Sequence, residues 1–220
     1  MIIDLGKVLS GEMMEVLKHS VKSNRHLWTH YSEYPTPPLF KLLPLYFLGS
    51  PIYPCADRTS LYLEYRDKTE DYLRTTIKDL YELVMGKLTE IYNFTPTQLT
   101  NTSLPGFHIF NSADGKLKQM SIPGYHIDSD LIACFPKVTA PIENFYSFVV
   151  VIETTSVGDT LDYIVDGERR KHNYQKGHMY IWPANMQHKI GDVALASDDE
   201  YRITYQGHYI KLPDRLLFYW

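Results

Sequence analysis

The stretch KLKQMSIPGYHID, residues 116–128, reads as a β-like run that ends in a His-x-Asp tripeptide. Side chains on a strand alternate between its faces, so His126 and Asp128 project the same way and can hold one ion between them. The flanking sequence repeats the strand pattern. GFHIF (106–110) precedes the turn-rich NSADGK, and downstream come LIACF (131–135), FYSFVVVIE (145–153), TLDYIV (160–165), GHMYIWP (177–183), HKIGDVAL (188–195) and RITYQGHYI (202–210). Short runs rich in β-branched and aromatic residues, divided by Gly, Pro, Asn and Asp, are the pattern of an antiparallel all-β unit. Asp166-Gly167 lies between TLDYIV and ERRKHNY. Such a pair favours a tight hairpin, because both central turn residues need positive φ.

A second imidazole is available from His188, which follows the GHMYIWP run across a short Pro-containing turn. Two imidazoles and a carboxylate cover one face of a metal and leave positions open for other ligands, an arrangement suited to ferrous iron. A lone His-x-Asp in a chain with nine histidines is weak support, so the strand context of all three residues carries the reading. Arg202 opens the last run, with Thr204 two residues on and on the same strand face. A guanidinium fork grips a carboxylate through two parallel N–H bonds, which an ammonium cannot do. The competing role for Arg202 is a surface ion pair with Asp198, Asp199 or Glu200. His108, Lys118, His178, His208 and Trp182 read as structural.

The order His126-x-Asp128, His188 about sixty residues on, and Arg202 fourteen residues further resembles the Fe(II)/2-oxoglutarate-dependent dioxygenases over roughly residues 104–210. The resemblance implies Fe(II) held by His126, Asp128 and His188, which are then the catalytic centre. It implies 2-oxoglutarate chelating the iron through its C1 carboxylate and keto oxygen, with the C5 carboxylate on Arg202 and Thr204. The implied reaction couples oxidative decarboxylation of 2-oxoglutarate by dioxygen to hydroxylation, or a related oxidation, of a small molecule, an amino acid or a peptide side chain. Related halogenases carry a small residue where Asp128 stands, so the carboxylate favours halide-free chemistry. The interval between His188 and Arg202 is longer than in many members, and the polar ASDDE (196–200) reads as an inserted loop. Two other classes stay open: a cupin-type metal-dependent isomerase, epimerase or dioxygenase, and a non-catalytic ligand-binding β-barrel.

Residues 1–100 read differently, as mainly helical. Ser10 is a candidate N-cap for a short helix carrying Met13, Met14, Val16 and Leu17. From about Ser60 to Tyr92, Leu73, Ile77, Leu80, Val84, Leu88 and Ile91 recur at three- and four-residue spacing, a helical stripe. Between these, YPTPPLFKLLPLYFLGSPIYPC (34–55) resists helix and strand because each proline removes a donor and restricts its predecessor, so it reads as a packed loop and a candidate lid. The expected fold class is α+β, mainly β: a single domain over residues 1–220. Its core over 104–210 is a double-stranded β-helix, a cupin-like jelly roll, and the N-terminal helices pack on one sheet.

Composition narrows the function classes further. The formal net charge of −4 with dispersed Lys and Arg leaves no footprint for nucleic acid. No apolar run reaches the length of a membrane span, and the N-terminus lacks a signal-peptide pattern, so a cytoplasmic protein is expected. Cys55 and Cys134 lack the spacing of a zinc site or disulfide framework and read as reduced thiols. The Asn-x-Ser/Thr matches at Asn93 and Asn101 carry no weight without a secretory route. Most of the 18 tyrosines read as amphipathic core and rim, with some available for an aromatic-lined mouth.

Overall fold

The computed structural model describes residues 1–34, 43–52, 59–112, 119–120, 124–128, 140–155 and 159–220. Both cysteines, Lys118, the LIACF run and much of the proline-rich stretch lie outside the described residues.

Among the described residues, strands numbered in chain order form one large sheet, one small sheet and a separate two-stranded ribbon. The large, almost wholly antiparallel sheet runs β1 (Ile3–Lys7), β10 (His178–Pro183), β7 (Phe145–Glu153), β13 (Arg202–Lys211), β5 (Gly106–Phe110), β3 (Leu45–Leu48) and β2 (Thr29–His30). The strand β14 (Leu216–Tyr219) pairs with the C-terminal half of β13, and β4 (Thr97–Gln98) lies parallel to it. The small sheet runs β11 (His188–Ile190), β8 (Thr160–Val165) and β9 (Glu168–Asn173), while β6 (Gln119–Met120) pairs with β12 (Val193–Ala194). A bridge between His126 and His188 attaches the segment 124–128 to β11. From β5 onward the chain therefore alternates between the two sheets, a jelly-roll-like plan.

The helices α1 (Gly11–Ser23), α2 (Thr59–Thr75) and α3 (Lys78–Tyr92) cover the outer face of the large sheet. The register makes that face apolar: Phe148, Val150 and Ile152 of β7 and Ile203, Tyr205 and Tyr209 of β13 pack with Leu17, Val21, Leu80, Val84 and Leu88. The alternate residues of β13, Arg202, Thr204, Gln206 and His208, face the other way into a cavity. Burial of the outer face drives the strand-helix packing, and its parity leaves a polar row inside.

Local details follow the expected chemistry at several points. The Ser10 side chain accepts the Met13 N–H at 3.1 Å and caps α1, although Val16 is exposed rather than on the buried stripe. Asp166 and Gly167 have φ of 54° and 79°, and Val165 pairs with Glu168 across them.

The N-terminal hundred residues differ from the expectation. Four strands, β1, β2, β3 and β4, belong to the large sheet, so this part is not simply helical. The stretch Leu45–Leu48 is entirely buried between the prolines, which flank the strand and leave its own donors intact. The helical stripe over about 60–92 spans two helices. Thr75, Thr76 and Ile77 are consecutive β-branched residues, and the Thr75 hydroxyl donates back to the Asp71 carbonyl at 2.7 Å, so α2 ends there. Ile77 stays buried at the corner. The expected HKIGDVAL strand is likewise two short strands, β11 and β12, in different sheets. No described helix is long and apolar enough to cross a membrane.

Candidate metal centre

His126, Asp128 and His188 meet at one end of the space between the sheets, with one ligand-type atom from each within 4.8 Å of the others. The backbone brings them together. His126 and His188 exchange N–H···O bonds of 2.9 Å in both directions, and the Asp128 N–H donates to the Ala184 carbonyl at 2.8 Å. Their rings lie 4.5 Å apart between centroids. His188 Nε2 is 3.5 Å from Asp128 Oδ2, and His126 Nε2 is 3.7 Å from Asp128 Oδ1. Ligand bonds near 2.1 Å at right angles put neighbouring donors about 3 Å apart, so the two imidazoles and the carboxylate would draw together to close on an ion.

The surroundings of each donor suit that role. His188 is buried, and its Nδ1–H donates to the Met186 carbonyl at 2.9 Å, which fixes the tautomer and leaves Nε2 toward the carboxylate. His126 Nδ1 reaches the Gly124 carbonyl only at 3.5 Å, and its side chain is 56% exposed, so it forms the open side of the set. Burial alone would raise the pKa of Asp128, but His188, His208 and His126 together with a hydrogen bond from Ser147 hold it below 3.8. The carboxylate is therefore the ionised partner that a cation needs.

A cavity of about 410 Å³ connects the three residues with Arg202 and Thr204. Arg202 is 2% exposed, and its guanidinium carbon lies 5.3 Å from the Phe110 ring centroid and 5.6 Å from that of Tyr174. Its Nε donates to Asp159, whose side chain is buried, rather than to the competing partners at 198–200. Thr204, 1% exposed, lines the same wall. The other polar residues divide. His108, read as structural, faces the cavity from β5 beside Phe47 and the Trp220 ring. Trp182 also faces it and packs edge-on against His188 at 5.4 Å. His178, at the other end of β10 from Trp182, stacks on Tyr180 and pairs with Asp4 at 3.1 Å. His208 lies beside these three residues, His126, Asp128 and His188, 3.8 Å from Asp128 Oδ2. Sequence reasoning missed Asp159 and Ser147, and no motif marked them. Continuing the two-residue period from Arg202 and Thr204 would have found His208.

No family model and no curated protein matches this sequence. Solved structures do match. One is an N-substituted L-amino acid dioxygenase from Burkholderia ambifaria AMMD, with a TM-score of 0.55 and 11% identity over 99% of this chain and 85% of that one. Another is the non-heme alpha ketoglutarate dependent epimerase SnoN from nogalamycin biosynthesis, with a TM-score of 0.53 and 10% identity over 96% of this chain and 79% of that one. A third, from Burkholderia pseudomallei, is an oxidoreductase of the 2OG-Fe(II) oxygenase family, with a TM-score of 0.50 and 10% identity over 97% of this chain and 86% of that one. This chain has the fold of the Fe(II)/2-oxoglutarate oxygenases. At such low identity the likeness concerns backbone architecture, and the donor set described above is this chain's own.

The buried histidines make stability depend on pH. Burial, reinforced by Arg202 and His208, pushes the His108 pKa well below 6.5, so the folded ring stays neutral where the unfolded ring takes a proton. The folded state then binds fewer protons below pH 6.5, and stability falls as pH drops through that value and is unaffected above it. Asp128 and Glu153, held below 3.8 and 4.5, add their losses only under more acid conditions. Thermal melts are expected to be flat between pH 8 and 7 and to fall from about pH 6.5 downward. The variant His108→Phe should show a smaller decline. Equal slopes would assign the titration to other groups.

Proposed function

We propose that this chain is a non-haem iron oxygenase that couples oxidative decarboxylation of 2-oxoglutarate to hydroxylation, or a related oxidation, of a small molecule, amino acid or peptide side chain. The observation that carries the proposal is the convergence of His126, Asp128 and His188 within 4.8 Å, in the cavity that also contains the buried Arg202. We read the alternating sheets as a double-stranded β-helix within a single domain.

The three donors would hold Fe(II), which when bound supplies the redox chemistry with dioxygen. Arg202 and Thr204 would receive the distal carboxylate of 2-oxoglutarate. Asp159 engages Nε of Arg202 and so orients the fork, leaving the terminal N–H groups for the organic acid. Phe110 and Tyr174 flank the guanidinium and keep water from it, which strengthens the ion pair it forms. The cavity lies within the range of small-molecule sites. Its exposed side at His126 is the route for a substrate.

A cupin-type isomerase would need the metal centre but not a buried guanidinium in the same cavity. An inert binding barrel would need neither. Anaerobic addition of Fe(II) and 2-oxoglutarate is expected to give a weak visible charge-transfer band, absent with either alone. Aerobic turnover should release succinate. Failure to form the band with folded protein would remove the oxygenase reading.

A further inference from the structure

Three neighbouring side chains on the inner face of the large sheet lie under the metal-ligand set. His208 of β13 and Trp182 of β10 both pair in register with Ser147 of β7, so the three form one row across the sheet. Trp182 packs on His188. The other two reach the carboxylate. The Ser147 hydroxyl hydrogen-bonds Asp128 Oδ2, and Ser147 Oγ lies 2.9 Å from His208 Nδ1.

The direction of these bonds follows from the hydrogens available. An ionised carboxylate only accepts, so the single Ser147 hydrogen goes to Asp128. Ser147 Oγ must then accept from His208, which places a proton on Nδ1 of that ring. The His208 ring is held in this orientation by stacking on Tyr219, at 5.2 Å between centroids and 26° between planes. His188 orients itself through the Met186 carbonyl, whereas among the described residues the Asp128 carboxylate takes its hydrogen bond from Ser147. The support for its side chain comes from the opposite sheet.

We propose that His208 is a positioning residue for the metal centre, acting through Ser147 to fix the carboxylate of Asp128. The inference rests on the metal-centre reading above and adds to it a polar connection between the two sheets. Partners of this kind around metal ligands are commonly worth 10–100-fold in affinity.

Co(II), a spectroscopic stand-in for Fe(II), reads the effect without turnover through its visible d–d bands. The variants His208→Phe and Ser147→Ala are each expected to bind Co(II) about 10–100-fold more weakly than the wild-type chain. The variant His208→Asn keeps an N–H donor near the position of Nδ1 and should bind within about threefold of wild type. Because His208 acts through Ser147, adding His208→Phe to Ser147→Ala should cost nothing further. Wild-type affinity in His208→Phe, or equal weakening in the Phe and Asn variants, would overturn the proposal and leave the metal centre intact. If the wild-type chain takes up no Co(II), the metal-centre reading fails and takes this inference with it. Should His208→Phe not fold, Ser147→Ala carries the same comparison with a smaller change.

Discussion

Replacing His126 with alanine is expected to reduce metal affinity by at least about 100-fold and to abolish metal-dependent turnover, while the fold persists. Losing a partner that only orients a ligand typically costs 10–100-fold, and losing the ligand itself costs more. The side chain is 56% exposed and its hydrogen bond among the described residues is marginal, so the change in stability should stay within about 1 kcal/mol. The paired backbone bonds to His188 do not involve the imidazole and survive the substitution. His188→Ala should behave differently. That ring is buried, donates to Met186 and packs on Trp182, so its removal should weaken the fold by about 1–3 kcal/mol as well as emptying the site. Iron content by elemental analysis and a thermal melt for each variant separate the two cases. Stoichiometric iron in His126→Ala would remove this residue from the ligand set.

The second large effect is at Arg202, where stability and the proposed co-substrate binding share one side chain. Arg202→Ala leaves Asp159 as an unpaired charge at a position where both partners are almost fully buried. Breaking such a pair costs about 3–5 kcal/mol. Arg202→Lys keeps the charge but loses the fork, so the KM for 2-oxoglutarate should rise by roughly 10-fold or more while Fe(II) still binds. An unchanged KM would argue against the co-substrate role. The double replacement Arg202→Met with Asp159→Leu removes both charges together. It should recover most of the stability lost in Arg202→Ala without restoring 2-oxoglutarate binding, which distinguishes an anchor for the organic acid from a purely structural ion pair.

Much of the β-rich half was legible because its signals are local. Alternation within short strands, the Asp166-Gly167 turn and the Ser10 cap each depend on residues a few positions apart. The N-terminal half was less so. Leu45–Leu48 sits among prolines and reads as loop, yet it has a partner strand on each side, β5 and β2, and supplies a fully buried row. Pairing with residues sixty positions away overrides the local preference. The break between α2 and α3 shows the opposite limit, since a continuous apolar stripe can turn a corner when the corner residue, Ile77, stays buried.

The sequence by itself determined the types and order of the candidate ligand side chains, and the parity that puts Arg202, Thr204, Gln206 and His208 on one face of a strand. Covalent geometry dictates that parity, so it can be read without a fold. Only the tertiary structure decided which other groups meet there. Asp159 reaches Arg202 from another strand connection, and Ser147 links His208 to a carboxylate attached to the opposite sheet. These contacts depend on how two sheets stack and register against each other, and that arrangement is set by burial of the whole outer face under three helices rather than by any residue in the site.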